Sequence, residues 1–149
     1  MALLEKLNEE MKAAMKSGNK ERLEVLRFTI AGLKNAEKEK SAKQPGVALT
    51  DDEAVTILQK EAKRRKEAVA LFRQGNREDL VKKEEADLAV ISEYLPKELS
   101  SGELDKVIAD LVSQGFNDFN SLMREAMKIV KGRADGKAVG DAIKKKIGQ

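Results

Sequence analysis

Residues 50–75 read TDDEAVTILQKEAKRRKEAVALFRQG, and this stretch decides the fold class. Thr50 followed three residues later by Glu53 has the form of a capping box, with Thr50 as N-cap and Glu53 reaching back. Behind it, Ala54, Ile57, Leu58, Ala62, Val69 and Phe72 recur at helical spacing, with Val55, Ala68 and Leu71 beside them. Gly75 then offers the left-handed cap position. The spacing predicts one helix of about 24 residues, which at 1.5 Å per residue spans roughly 36 Å. Its cluster Lys60, Lys63, Arg64, Arg65 and Lys66 is interrupted by Glu61 and Glu67, so intrahelical pairs such as Lys63–Glu67 account for it.

Helical spacing continues on both sides. Leu3, Leu4, Leu7, Met11, Ala14 and Met15 form one stripe that stops near Gly18-Asn19. Leu23, Leu26, Ile30 and Leu33 form a second, widened by Val25 and Phe28 and running out in Glu37-Lys38-Glu39-Lys40. Residues 41–49 read as a loop, because Pro45 lacks an amide donor and Gly46 is permissive. After Gly75, Asn76 and Asp79 are expected to start a helix with Leu80, Val81, Leu88, Ile91, Tyr94 and Leu95, its middle, Lys82-Lys83-Glu84-Glu85, solvated.

Pro96 marks a boundary, since the residue before a proline is biased away from helix. Beyond it the elements shorten. Ser100 and Glu103 form another capping box ahead of Leu104, Val107, Ile108, Leu111 and Val112, stopped by Gly115. Asn117 or Asp118 caps a stripe of Phe119, Leu122, Met123, Ala126, Met127 and Val130 that Gly132 ends. Asp135 caps a last helix carrying Val139, Ala142, Ile143 and Ile147. The fold class expected is all-α. An N-terminal domain of long helices in helical hairpins, residues 1–95, precedes a C-terminal three-helix domain, residues 96–149. A unit of roughly 53 residues is marginal by itself and is expected to lean on the first unit or on a partner.

The composition agrees and narrows the chemistry. Of 149 residues, 41% are apolar, 37% are charged, and 2 are proline, which is helix-forming material able to build a core. There is no Cys, His or Trp, and only 4 Phe and 1 Tyr. That excludes a disulfide framework, a thiolate nucleophile, Cys-ligated metal and any imidazole base or relay. Few aromatics also argue against a base-stacking surface. No apolar run reaches the roughly 18 residues of a membrane span, and the amino-terminal segment meets acidic residues too early for a signal peptide. A soluble cytoplasmic protein with no cofactor, no metal and no membrane partner is expected.

The near balance of 29 basic and 26 acidic residues conceals a local separation. Residues 97–123 hold 2 basic and 5 acidic side chains, net −3; residues 124–149 hold 8 basic and 3 acidic, net +5. The basic end is the better nucleic-acid candidate, because phosphate contacts need Lys and Arg and little else. The competing plain account is that terminal lysines complement helix carbonyls and keep the chain in solution.

Gly132-Arg133-Ala134-Asp135-Gly136-Lys137 superficially resembles a phosphate loop. It is one residue short, Ala138 stands where Ser or Thr would hold magnesium, and no strand precedes it. Gly132 ending one helix, Asp135 capping the next and Gly136 permitting close packing is the simpler account. A phosphate could still sit at the helix start beside Lys137. No carboxylate stands isolated in an apolar run as a perturbed acid would, Asp51-Asp52-Glu53 complements a helix dipole, and the methionines fall at core-filling spacing.

A series of short stretches carries a family resemblance. They are Glu24-Val25-Leu26-Arg27, Lys34-Asn35-Ala36-Glu37, residues 57–67 (ILQKEAKRRKE), Lys83-Glu84-Glu85-Ala86 and Tyr94-Leu95-Pro96-Lys97-Glu98-Leu99. Met127-Lys128 and residues 132–139 (GRADGKAV) complete it. In this order and spacing the chain resembles the YqeY-like family along essentially its whole length. The C-terminal half of that family is similar to the tail of the B subunit of the tRNA-dependent amidotransferase, a helical appendage that helps hold tRNA. That enzyme's catalytic centres lie in a separate amidase subunit and in a kinase-like cradle, and this chain contains neither. The family label implied is carbon–nitrogen ligase with glutamine as amido-nitrogen donor, yet no residue here is suited to activate glutamine or phosphorylate a carboxylate.

The resemblance and the charge distribution together give the leading expectation: a non-catalytic accessory protein that binds tRNA or a tRNA-containing complex. Arg124, Lys128, Lys131, Arg133 and Lys137 would carry phosphate contacts, supported by Lys144, Lys145 and Lys146. Gly132 and Gly136 would let the backbone approach the ligand, and Asp135 would cap the helix. One alternative is a helical protein–protein interaction module without nucleic-acid binding. Another is participation in glutamine-dependent carbon–nitrogen ligation.

Overall fold

The structure, a computed structural model, describes residues 2–148, and within them every regular element is helical. In chain order these are α1 (Ala2–Ser17), α2 (Lys20–Lys43), α3 (Asp51–Gln74), α4 (Glu78–Ser92), α5 (Ser101–Ser113), α6 (Phe119–Val130) and α7 (Gly136–Ile147). The chain divides into two compact units, Met1–Leu95 and Pro96–Gln149. Among the described residues, no helix is long and apolar enough to cross a membrane.

In the first unit α1 packs along α2 and α3 along α4, while α2 also meets α3 and α4. Leu7, Leu26, Leu33, Leu58 and Ile91 are fully buried at the centre of this core, each worth roughly 1.5–3 kcal/mol of apolar burial. The α3 capping box is complete: Glu53 N donates to Thr50 Oγ1 at 3.2 Å, and Thr50 N donates to Glu53 Oε2 at 2.8 Å. Lys40 Nζ lies 2.7 Å from the same carboxylate and also donates to Ala48 O, which fastens the end of α2 across the loop.

Several local expectations are revised. Asn19, read as a stop, is the N-cap of α2 and accepts from Arg22 N. Helix α2 continues to Lys43, so residues 41–43 are helical. After α3 the left-handed residue is Asn76 (φ 57°), whereas Gly75 has φ −84°. Asparagine tolerates that conformation, which leaves Arg77 as the N-cap of α4, without a side-chain cap bond. Val25 is buried as expected, but Phe28 is 64% exposed. Met11 and Met123 pack against the two cores, while Met15 and Met127 are exposed.

The largest revision concerns the basic cluster of α3. Arg65 turns inward between α3 and α4. Its guanidinium lies 3.3 Å from Glu61, 3.1 Å from Glu84 and 3.1 Å from Asp87, and stands 5.6 Å above the Phe28 ring. Glu84, expected in the solvated middle of α4, is therefore a packing partner. Burial raises the Glu61 and Asp87 carboxyls above their ordinary values, even with Arg65 pulling the other way. These two acids are perturbed although neither sits in an apolar run of sequence. A second arginine, Arg22, donates to Glu93 at 2.7 Å, Glu10 at 3.2 Å and the Tyr94 hydroxyl at 3.1 Å, joining α1, α2 and the end of α4.

In the second unit each of α5, α6 and α7 packs on the other two. Ile108, Leu122, Ala126, Val139 and Ile143 have no measurable exposure and fill the centre. Ser100 caps α5 by accepting from Glu103 N, and its hydroxyl in turn donates to the Glu103 carboxylate.

Candidate nucleic-acid interface

Caps and turns set the geometry of the basic end. Asp118 opens α6 by accepting from Ser121 N at 2.9 Å, and the bonds from the Ser121 hydroxyl and amide hold this carboxyl below its ordinary value. The helix closes through Lys131 (φ 47°) and Gly132 (φ 79°), both left-handed. Gly132 meets that demand without strain, while Lys131 adopts it with a Cβ. Asp135 opens α7 by accepting from Ala138 N at 2.7 Å. A Cβ on Gly136 would meet Met123 Cε at 3.7 Å, an ordinary contact, so the packing does not require glycine there.

The eight basic residues fall into separate settings. Arg124 and Lys128 lie four apart on α6, opposite the buried Leu122 and Ala126, and both are about two-thirds exposed. Each reaches only as far as Glu125, at 3.9 Å and 3.4 Å, so two cations share one carboxylate. Lys131 begins the turn to α7. Lys137 and Lys144 stand seven apart on one face of α7, and Lys144 Nζ lies 5.9 Å from the Phe119 ring centroid, beside the start of α6. Lys145 points the other way and pairs with Asp105 of α5 at 3.5 Å. Lys146 lines the groove between α5 and α7 together with Lys145.

Arg133 is different again. It is half-buried, and its Nε donates to Lys97 O at 2.8 Å. Its carbonyl accepts from Leu99 N at 2.9 Å. These two bonds tie the strand-like connector after Pro96 to the α6–α7 turn. Arg133 thus has a structural task that a count of positive charges does not reveal.

Two features escape sequence reading. The first is Phe119 lying beneath Lys144, which depends on the packing of α6 against α7. The second is Lys106, which falls in the acidic segment of the chain yet shares a groove with Lys145 and Lys146. Its signal was the pair Ala109 and Ala142, small residues placed within apolar faces.

Comparison with known proteins was made against this geometry. The family model for Yqey-like protein matches residues 4–147. The chain is 31% identical over 153 residues to altered inheritance of mitochondria protein 41, mitochondrial, of Pyrenophora tritici-repentis, covering 98% of this chain and 81% of that protein. It is 30% identical over 148 residues to the protein of the same name in Lachancea thermotolerans, covering 95% of this chain and 76% of that one.

Proposed function

The chain belongs to the YqeY-like family, and from that premise we propose that it is an accessory protein that binds folded tRNA through its second unit. The observation carrying this reading is the surplus of cations on the outward side of α6 and α7. Arg124 and Lys128 share a single carboxylate, and Lys131, Lys137 and Lys144 extend the charge around the turn and along α7. Contacts of this kind grip phosphates and read shape, which suits a folded RNA better than an extended strand. The resemblance to the amidotransferase B-subunit tail points to the same ligand. The proposed role is to hold tRNA for an amidating enzyme and to supply no chemistry of its own.

The test is a titration of labelled tRNA with the full chain at several salt concentrations. Affinity should fall linearly on a log–log plot, by about 0.7–0.9 per phosphate neutralised. Arg124→Ala, Lys128→Ala and Lys137→Ala should each reduce that slope by about 1. Absence of binding at low salt, or a slope unmoved by the three substitutions together, overturns the reading. Glutamine-dependent amide formation on charged tRNA by the purified chain alone would overturn its non-catalytic part. A cytoplasmic setting belongs to the same proposal. Imaging of the tagged chain tests it, and a mitochondrial signal, the compartment in the names of the two fungal relatives, would replace it.

A further inference from the structure

The second unit carries a feature that phosphate binding does not use. Helices α5 and α7 leave between them a groove of about 410 Å³. Ile108, fully buried, forms its floor, and the short side chains of Ala109 and Ala142 leave the space above it open. Lys106 stands on the α5 side; Lys145 and Lys146 stand on the α7 side. Asp105 is the one acid lining it, against three lysines, and its carboxylate lies 3.5 Å from Lys145 Nζ.

We propose that this groove docks an acidic amphipathic helix of a partner protein. The argument has two parts. An apolar floor between two helices gains from apolar side chains of a third, at the i, i+3, i+4 spacing by which a helix lies in a groove. A phosphate backbone gains nothing from Ile108, Ala109 and Ala142, and the groove lining contains no aromatic ring on which a base could stack. The rim then fixes the sign of the partner. Three ammonium groups against one carboxylate leave a net positive border on both sides, so flanking Glu or Asp side chains of the docked helix are favoured and Lys or Arg are repelled. The lining residues of α5 run from Asp105 to Ala109, only about 6 Å of helix, so the seat holds roughly two turns of the partner. This surface is separate from the Arg124–Lys128 face, and the proposal stands without the tRNA reading.

The probe is a fluorescein-labelled synthetic peptide of about 14 residues, with Leu at i, i+3, i+4 and i+7 and Glu at the flanking positions. It is titrated into the full chain at low salt, with amide NMR shifts recorded in parallel. Saturable binding is expected, with shifts centred on α5 and α7. A Glu→Lys version and a Leu→Ser version of the peptide should each lose at least about tenfold in affinity, as should the chain variant carrying Lys106→Glu and Lys146→Glu. Ala109→Trp fills the groove while leaving its charge intact, and should abolish peptide binding while tRNA binding is unchanged. If that variant loses helicity, the doubly charge-reversed chain decides, since Lys106 and Lys146 are exposed. The proposal is overturned by failure of the Glu peptide to saturate, by equal binding of the Lys peptide, or by shifts confined to α6. Loss of tRNA binding in a well-folded Ala109→Trp chain would assign the groove to RNA instead.

Discussion

Arg65 faces three carboxylates, and the imbalance has consequences at the scale of single residues. Its side chain and those of Glu61, Glu84 and Asp87 are all mostly buried, so removing the one cation leaves several charges facing each other with little water. Arg65→Met should cost about 3 kcal/mol, the lower end of what breaking a buried ion pair costs, measured by urea unfolding. Glu61 gives a second, opposite expectation. Desolvation raises its carboxyl above the ordinary 4.5, against the pull of Arg65 and the hydroxyl of Thr29, which donates to it at 3.4 Å. An acid whose value is raised by folding adds stability that is fully present below its ordinary value and is lost as pH rises through the raised one. Asp87, also raised by burial, acts in the same window above its ordinary 3.8. Glu53, Asp79 and Asp118 are lowered by their hydrogen bonds, so their contributions run the other way and vanish as pH falls. Glu61→Gln should therefore raise the thermal midpoint relative to the parent at pH 7, and the gap should close near pH 4. A gap that stays constant across this range would show that Glu61 ionises as an exposed glutamate does. Little of this was legible beforehand. Arg65 sits among Lys60, Lys63, Arg64 and Lys66, and only the direction of one Cα–Cβ bond toward α4 separates it from its neighbours.

At the scale of elements, caps were legible and tertiary ties were not. Thr50, Ser100 and Asp135 were assigned as N-caps from sequence, and each accepts from the amide three residues on, because capping is decided within one turn of chain. The end of α3 was misread for the same local reason: Gly75 and Asn76 both suit a left-handed position, and composition does not choose between them. The connector at residues 97–99 shows the limit of sequence reading. Its attachment to Arg133 joins positions more than thirty apart, and Arg133 looked like one more cation of the basic end. Arg133→Ala removes the bond to Lys97 O and should lower stability by about 1 kcal/mol, as expected for one side-chain-to-backbone bond. If that bond is its main task, tRNA affinity should fall less in Arg133→Ala than in Lys128→Ala at the same salt. A loss as large as that of Lys128→Ala would place the Arg133 guanidinium on phosphate.

At the scale of the molecule, the break at Pro96 was readable because proline, a short connector and a change in helix length coincide there. Each side of it has its own core. Leu7, Leu33 and Leu58 belong to one cluster, and Ile108, Leu122 and Ile143 to the other. The second unit, residues 96–149, is of a size where burial barely exceeds conformational entropy. Separate cores predict separable unfolding. The chain supplies its own reporter, since Tyr94 is the single tyrosine, no tryptophan is present, and its hydroxyl accepts from Arg22 within the first unit. Tyrosine emission therefore follows the first unit, while far-ultraviolet circular dichroism follows both. Leu58→Ala, which empties a fully buried site, should shift the tyrosine-detected urea midpoint by an amount equivalent to about 2–5 kcal/mol. Ile108→Ala should carry a comparable cost, seen as an earlier fall in helicity, and leave the tyrosine midpoint in place. If either substitution moves both signals together, the two cores unfold as one cooperative body, and the marginal second unit draws its stability from the first.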